Sequence, residues 1–555
     1  MVLQQKGTAA LWGWSDSASS ISITTSWNGR KYSVKPDEKG AWKVDVSTPE
    51  GSFTEYTLTI ESGKEKIVLS HVLIGEVWLG SGQSNMEMPL KGFDGCPVEG
   101  GMQEIIQSGR YRGKIRFSTL PKTEAYSPLE VNGGEWKESS PENAPMFGAA
   151  AWFFAKNIVD VLDVPVGIIN NAWGGSRIEG WLPKEVVSEY PGVPSDSLGC
   201  SKIMLSMSRP TVMYYGQWCP VRNYTFKGVL WYQGESNWNN DPMEYADRMD
   251  RLISLWREET ANPVLPVYLV ELAPYAENNN PDGIESAIVR EQQRLSASRT
   301  DECWIVSIND LVYPYEAFQI HPSKKKEVGE RLSYMALNHT YGLGYFPGTA
   351  PTFSYMDVDG NTVTLNFNGV AEAGGFNRVS DIEGFEACGP DLVWHPSVVR
   401  VVPYVNSVIL TTPGVDDPVA VRYSFRNFLP GNFSGANGLT VPPFRSDRLV
   451  EGETPVSQNN LPDGDFEGTW KGSSNVDGLG GRPMTFEVTL HKNGDGSWTF
   501  TIPGQDPKPA KVRGNKATVT AEFGNTSFPM DIRYHEDGSV WVEFMGNPTT
   551  ELKRQ

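Results

Sequence analysis

The stretch EVWLGSGQSNM, residues 76–86, decides how the middle of this chain is interpreted. Its first four residues, Glu76–Leu79, have the composition of a short buried strand. The strand runs directly into Gly80-Ser81-Gly82-Gln83-Ser84, a segment of two glycines, two serines and one glutamine. A Ser at a strand end in a Gly-rich turn can expose its hydroxyl and direct backbone N–H groups at an incoming carbonyl oxygen. Ser84 is therefore a candidate nucleophile, and an ordinary Ser/Gly turn is the alternative.

From this stretch onward, over about residues 75 to 340, short apolar strands alternate with helical segments. Strands are predicted at Glu76–Leu79, Val166–Asn170, Gly228–Tyr232, Val264–Glu271 and Cys303–Ile308. Helices are predicted at Ala149–Leu162, Met243–Glu258, Ile284–Ala297 and Ser323–Leu337. This alternation predicts a parallel sheet covered by helices on both faces, in which ligands bind at the carboxyl ends of the strands.

The rest of the chain has the patterns of β structure. Residues 1–74 predict an N-terminal β-sandwich domain, residues 75–340 the α/β domain, and residues 341–450 a further β-rich domain. Residues 451–463 predict a linker, and residues 464–555 a small antiparallel β-barrel or sandwich. The expected fold is thus a multidomain α/β plus all-β protein. A parallel α/β/α sheet domain is flanked along the chain by β-sandwich domains, and a small antiparallel β domain follows at the C-terminal end.

The composition is ordinary for a soluble globular protein, and it excludes several classes of function. The formal net charge is -19, which argues against nucleic acid and anionic membrane surfaces because both select clustered Lys and Arg. No stretch approaches the ~18–20 consecutive apolar residues that cross a bilayer. The five Cys have no CxxC spacing, so neither a zinc site nor a disulfide framework is predicted, and one or two disulfides are the alternative.

Two more polar motifs follow predicted strands of the α/β region. The segment NNAWGGSR, residues 170–177, contains the pair Gly174 and Gly175, which lets the backbone approach a ligand closely and supply an oxyanion N–H. The segment WYQGESN, residues 231–237, contains Gln233, whose amide suits an oxyanion, and Glu235, which can orient a neighbour or bind substrate hydroxyls. Each motif alone also fits a simple turn or a satisfied loop network.

A histidine completes the groups that acyl transfer needs. His321 lies in the segment IHPS, residues 320–323, and opens a predicted helix near the end of the α/β region. His395 is also followed by Pro, but it lies outside that region, so His321 is the better candidate for a general base among six His. In chain order the motifs supply a nucleophile, oxyanion donors and a base, which together define acyl transfer.

The combination of motifs resembles a known family. The segments GQSNM, NAWGGSRIEGW, KGVLWYQGESN and IHPSKKKEVGERL look like those of the sialate O-acetylesterase family and its bacterial relatives, which include acetylxylan esterases and are SGNH hydrolases. MVLQQ and LWGW at the start, and AVRYSFRNF and NGLTVPPFRSD at 420–428 and 437–447, extend the resemblance over roughly residues 1–450. It implies a serine esterase that removes acetyl groups from sugars and needs no metal or other cofactor.

The resemblance also implies a role for each motif. Ser84 would attack the acetyl carbonyl and His321 would transfer the proton. The oxyanion hole would consist of the N–H of Ser84, the N–H of Gly174 or Gly175, and the side chain of Gln233. SGNH enzymes usually place an Asp three residues before the catalytic His, whereas this chain has Phe318 there. The candidates for an orienting acid are Glu235, Glu316 and Asp310, and a Ser–His dyad is the alternative.

Two substrates fit this interpretation. A sialic acid carries a carboxylate, which Arg177 would bind, whereas a xylan-derived sugar favours an open, Trp-lined cleft. The residues predicted to contact substrate are Arg177, Trp173, Asn237 and Trp238. A non-catalytic glycan-binding protein on an esterase fold is the alternative function. Because such glycans are met outside the cytoplasm, a secreted or periplasmic enzyme is expected, and the missing signal-peptide pattern at Met1 indicates a removed leader or a truncated start.

Overall fold

A small β-sandwich opens the chain in the computed structural model, which describes residues 1–16, 19–402, 406–447, 465–475, 483–513, 516–523, 526–534, 539–544 and 547–555. Its strands are β1 (Val2–Gln4), β2 (Gly7–Trp14), β3 (Ile21–Thr25), β4 (Lys31–Val34), β5 (Ala41–Thr48), β6 (Ser52–Ser62) and β7 (Glu65–Gly82). Strands β1, β3, β4, β6 and β7 belong to one sheet, and β2 pairs with β5 in another. Leu11, Ile23 and Val46 are buried together in the core. The sandwich predicted at the start of the chain is confirmed.

The α/β part of the chain follows the alternation that the sequence predicts. Its helices are α1 (Ser84–Glu87), α2 (Gly101–Gln107), α3 (Ala149–Leu162), α4 (Lys184–Val187), α5 (Ser197–Ser201), α6 (Tyr245–Glu259), α7 (Glu285–Arg299) and α8 (Lys325–His339). Its further strands are β8 (Ile115–Thr119), β9 (Glu135–Glu138), β10 (Val166–Ala172), β11 (Gly228–Tyr232), β12 (Val267–Val270) and β13 (Cys303–Val306). The predicted long helices and strands are all present, and only β7 differs greatly in length.

The order of the central sheet is β13-β12-β11-β7-β10-β8-β9, and every neighbour pair is parallel except β8 with β9. Residues of α3 and α8 share one buried cluster with the sheet, and residues of α6 and α7 share another. The chain leaves β7 on one side for β8 and β10, and later reaches its other side with β11. The carboxyl end of β7 is therefore the switch point where sheets of this class bind ligands. The predicted α/β fold class is confirmed.

One strand belongs both to the sandwich and to the central sheet. Strand β7 is 18 residues long, pairs with β6 in its first half, and pairs with β10 and β11 in its second half. The predicted domain boundary between residues 74 and 75 therefore falls inside this strand. Gly75 does not make a turn there, but it lets another segment come close, because a Cβ at Gly75 would lie 2.0 Å from the Pro165 carbonyl oxygen.

The remaining strands form two antiparallel sheets and a barrel. They are β14 (Thr352–Asp359), β15 (Thr362–Asn368), β16 (Phe385–Cys388), β17 (Trp394–Pro396), β18 (Val398–Val401), β19 (Ser407–Thr411), β20 (Ala420–Tyr423), β21 (Phe444–Arg445), β22 (Gly468–Asn475), β23 (Pro483–Lys492), β24 (Trp498–Thr501), β25 (Lys508–Arg513), β26 (Lys516–Phe523), β27 (Thr526–Tyr534), β28 (Val540–Phe544) and β29 (Asn547–Arg554). The sheets have the orders β14-β15-β19-β18 and β17-β16-β20-β21. Strands β22 to β29 close into a barrel, which is one of the two forms, barrel or sandwich, that the sequence predicts.

The chain divides into two compact units. The first contains Met1–Gly348 and Phe425–Pro430, and the second contains Thr349–Ser424 and Gly431–Gln555. The predicted linker at 451–463 lies outside the described residues. Among the helices that the structure describes, none is both long and apolar enough to cross a membrane.

Gly329 of helix α8 lies where that helix crosses α3. A Cβ at Gly329 would lie 2.4 Å from the Ala150 carbonyl oxygen and 2.6 Å from the Phe153 Cβ. The substitution Gly329→Ala should therefore cost about 1–3 kcal/mol through overpacking. A calorimetric scan should show a melting temperature lower by roughly 1–4 °C. Gly344→Ala is the matched control, because no atom lies within 4 Å of its added Cβ. Equal melting temperatures for the two variants would contradict this account of the crossing.

Candidate active site

The chain turns sharply where β7 ends. Gly82 has a φ of +130°, and a Cβ there would lie 2.1 Å from the Tyr232 carbonyl oxygen at the end of β11. The Gln83 N–H donates to that same oxygen at 2.9 Å, and the Trp173 N–H donates to the Gly82 carbonyl oxygen at 3.0 Å. The turn is thus fixed to both neighbouring strands, and it leaves Ser84 half-buried at the first position of α1. Because the first N–H groups of a helix have no acceptor within it, the Ser84 N–H is suited to bind a ligand oxygen.

The glycine pair after β10 lies against Ser84. A Cβ on Gly174 would lie 3.2 Å from the Ser84 Cβ, so a side chain there would crowd Ser84. The Gly174 N–H donates to Glu87 Oε2 at 2.7 Å, and the other oxygen of that carboxylate pairs with Lys122. Gly175 has a φ of +76°, and its N–H makes no hydrogen bond to a described residue. Of the two glycine N–H groups predicted for the oxyanion hole, that of Gly174 is occupied and that of Gly175 is open.

Gln233 braces the loops that follow β7, β10 and β11. Its Nε2 lies within hydrogen-bond distance of Gln83 Oε1 at 3.1 Å, the Ser176 carbonyl oxygen at 3.0 Å and Asn237 Oδ1 at 2.8 Å. Its Oε1 accepts from the Tyr245 hydroxyl at 2.9 Å. An amide has only two N–H donors, so protein acceptors already take both. The sequence predicts a Gln233 amide that is free to bind an oxyanion, whereas in the structure both of its N–H groups are bonded to protein. The oxyanion role of Gln233 stays a prediction.

His321 lies in the loop before α8, and this loop is joined to the Ser84 turn. Asn85 donates from Nδ2 to the Ile320 carbonyl oxygen at 3.0 Å, so the residue after Ser84 is bonded to the residue before His321. The Nε2 of His321 is buried and has no hydrogen-bond partner among the described residues. The Nδ1 lies 3.8 Å from the Sγ of Cys96. Nε2 is therefore the ring nitrogen that remains available as a base.

None of the predicted acids forms a hydrogen bond or ion pair with His321 in the described part of the chain. Glu316 accepts the backbone N–H groups of Tyr313 and Ser323 at 2.9 and 3.0 Å, which fixes the loop that contains His321. Asp310 accepts two hydrogen bonds from Arg331, and Glu235 accepts one from Asn85. Phe318, at the usual position of the acid, is 65% exposed. Among the described residues there is also no group of three or more His, Cys, Asp or Glu that could hold a metal ion.

A buried polar network connects the two loops. Lys325 is fully buried, and its Nζ donates to Asn85 Oδ1 at 2.7 Å, while Asn85 Nδ2 donates to Glu235. Burial raises the pKa of Glu235 and lowers the pKa of Lys325 to about 7. Burial, and after it the positive charge of Lys325, lowers the pKa of His321 to about 4. The imidazole is therefore neutral over the whole physiological range.

Of the four predicted substrate contacts, Trp173 and Asn237 are buried, and Trp238 and Arg177 are partly exposed. Trp173 is buried, and Trp238 is half-buried against the same core. Asn237 donates from Nδ2 to both oxygens of Glu179, at 3.2 and 3.1 Å. Arg177 is half-exposed and makes no hydrogen bond or ion pair with a described residue. Of these four, Arg177 is therefore the residue whose polar group is ready to meet a ligand.

The chain is similar to known carbohydrate esterases. A family model described as carbohydrate esterase, sialic acid-specific acetylesterase, matches residues 74–338. The sialate O-acetylesterase of Pongo abelii is 30% identical over 499 residues, which cover 83% of this chain and 93% of that protein. The sialate O-acetylesterase of Homo sapiens is 28% identical with the same coverage. The crystal structure of a carbohydrate acetylesterase from Xanthomonas citri is 30% identical, with a TM-score of 0.70, and covers 81% of this chain and 97% of that one.

Proposed function

Because the chain belongs to the sialate O-acetylesterase family of carbohydrate esterases, we propose that it removes acetyl groups from sugars with Ser84 as nucleophile and His321 as base. The observation that carries the proposal is the hydrogen bond from Asn85 Nδ2 to the Ile320 carbonyl oxygen, because it holds the nucleophile turn against the loop of the base. The half-buried Ser84 at the switch point and the unpartnered Nε2 of His321 support the same assignment. A nucleophile with an adjacent base is what acyl transfer requires.

In this mechanism His321 Nε2 takes the proton of the Ser84 hydroxyl while the Ser84 oxygen attacks the acetyl carbonyl carbon. The tetrahedral intermediate collapses, and His321 returns the proton to the sugar oxygen that leaves. Water then attacks the acetyl-enzyme with the same help and releases acetate. The oxyanion is bound by the N–H groups of Ser84 and Gly175, since Glu87 already holds that of Gly174.

The substrate that we propose is an O-acetylated sialic acid, which carries a carboxylate that a neutral xylan-derived sugar lacks. Arg177 lies two residues after Gly175, is half-exposed, and has no protein partner among the described residues. A guanidinium binds a carboxylate through two parallel hydrogen bonds. The curated relatives are named sialate O-acetylesterase, which agrees with this choice. Because such glycans are met outside the cytoplasm, we expect the enzyme to act there.

Replacing the nucleophile tests the mechanism. Ser84→Ala should lower the rate of acetate release from O-acetylated sialic acid by on the order of 10³-fold or more, because the residue forms the covalent intermediate. Ser298→Ala, on the exposed face of α7, is the matched control and should keep wild-type activity. A fluorophosphonate should label Ser84 in the wild-type protein. If wild-type protein and Ser84→Ala release acetate equally slowly, the chain is a non-catalytic glycan-binding protein instead.

The protonation state of His321 gives a second test. The base works only when it is neutral, and its pKa is lowered to about 4, so kcat/KM should stay level as the pH falls from 7 to 5. Below that range kcat/KM should fall as Nε2 takes a proton, with a midpoint near pH 4. The profile is measured with p-nitrophenyl acetate, whose leaving group needs no protonation in this range. A midpoint at 6 or above would show that His321 is not the buried base described here.

Arg177 tests the choice of substrate. Loss of a charge-assisted hydrogen bond costs roughly 1.5–3 kcal/mol, so Arg177→Gln should raise KM for O-acetylated sialic acid roughly 10- to 150-fold. Hydrolysis of p-nitrophenyl acetate and of acetylated xylooligosaccharides should not change. Arg177→Lys keeps the charge without the paired donors and should recover part of the loss. An equal loss on sialic acid and on xylooligosaccharides would argue against recognition of a carboxylate by Arg177.

A further inference from the structure

The loop of residues 92–96 packs against the His321 ring. Phe93 and Cys96 exchange two backbone hydrogen bonds of 3.0 Å, which closes a tight turn. Gly92 permits this turn, because its φ is +79° and a Cβ there would lie 2.4 Å from the Cys96 carbonyl oxygen. The Phe93 ring meets the imidazole edge to face, with centroids 5.1 Å apart. The turn therefore fixes both an aromatic ring and a thiol beside the proposed base.

The thiol is part of a short chain of hydrogen bonds. Cys96 Sγ donates to Gln319 Oε1 at 3.2 Å, and the same oxygen accepts the His321 N–H at 3.3 Å. The Gln319 Nε2 donates to the Gly95 carbonyl oxygen at 3.3 Å, so these hydrogen bonds end in the same loop that contains Cys96. Since the thiol proton is directed at Gln319, the sulfur lone pairs remain to accept from His321 Nδ1 at 3.8 Å.

We propose that Cys96 is the positioning residue of His321 and accepts its Nδ1–H at Sγ, where a triad would have a carboxylate. This role rests on the proposed function, because it matters only if His321 is the base. A proton held at Nδ1 leaves the lone pair at Nε2, which is the tautomer that can take the Ser84 proton. The contact with Phe93 fixes the plane of the same ring. Neither residue touches the reacting atoms.

The charged groups near His321 do not provide another partner for Nδ1. The ammonium of Lys325 has no lone pair and cannot accept the Nδ1–H, and it donates to Asn85. The Glu235 carboxyl faces Asn85, and the Glu316 carboxylate is held by two backbone N–H groups. A neutral thiol therefore orients the imidazole without adding the negative charge that a carboxylate would add.

Substitution of Cys96 tests the role on the full-length enzyme. Cys96→Ala should lower kcat about 10-fold or more for p-nitrophenyl acetate and change KM less than about 2-fold, because only the orientation of the base is lost. Cys96→Ser, which keeps an acceptor, should recover most of kcat.

Cys96→Asp adds a carboxylate beside Nδ1, so the acidic limb of kcat/KM should move up by about one pH unit or more. A residue that only supports the fold would not move this limb. An unchanged kcat in Cys96→Ala, or an unmoved limb in Cys96→Asp, would overturn the proposal.

Thiol modification gives a second measurement that does not depend on the folding of a variant. All five Cys lie in described residues; Cys96 is partly exposed and the other four are buried. Methyl methanethiosulfonate should therefore inactivate the wild-type enzyme, dithiothreitol should restore it, and Cys96→Ser should resist the reagent. Full activity of the modified wild type would contradict the role of Cys96 while leaving Ser84 and His321 in place. If unmodified wild type were as inert as Ser84→Ala, the proposed function itself would fail.

Discussion

At the carboxyl end of β7 there is no space for a side chain between Gly82 and the Tyr232 carbonyl oxygen, where an added Cβ would lie 2.1 Å away. This close approach forces the chain into a φ of +130°, which residues with a Cβ avoid. Gln83 can then bond to Tyr232, and α1 can begin at Ser84 without a side-chain cap. The position of the proposed nucleophile is thus a consequence of how closely β7 and β11 pack at one glycine.

The second constraint is the buried lysine that joins the two halves of the site. A buried ammonium is costly unless it is paired, and Lys325 has Asn85, the ring of Tyr232 at 5.5 Å and Glu235 around it. The pKa of Lys325 falls and that of Glu235 rises, so burial drives both groups toward their neutral forms. Burying these groups costs free energy, but the network fixes Asn85: Lys325 donates to its Oδ1, and Glu235 accepts from its Nδ2. Asn85 in turn holds the Ser84 turn against the loop of His321.

Strand and helix periods predict the central sheet and the antiparallel strands of the C-terminal barrel, because those patterns follow from burial on one face or on both. They do not decide between a barrel and a sandwich. The motif order also brings Ser84, Gly175 and His321 to one part of the fold. The local sequence does not predict the buried network or the contacts of the His321 ring. Lys325 stands between two other Lys, and only the packing of α8 decides which of them is buried. Cys96 is 225 residues from His321, so no spacing rule connects them. The boundary expected near residue 74 falls inside β7, because this strand continues through Gly75 while a third segment approaches it there.

In the proposed role as base, His321 would suit an ester of a sugar better than a peptide. A base of low pKa would remove the Ser84 proton less readily, but the imidazolium that it forms would be a stronger acid and would return the proton to the leaving group more readily. An alkoxide of a sugar leaves with that help, and an acetyl ester is reactive enough to tolerate the weaker base. A peptide bond is less reactive and relies on the carboxylate that stabilises the imidazolium in a triad. The proposed dyad, with the Cys96 thiol where a triad has a carboxylate, would therefore act on esters such as sugar acetates rather than on peptides.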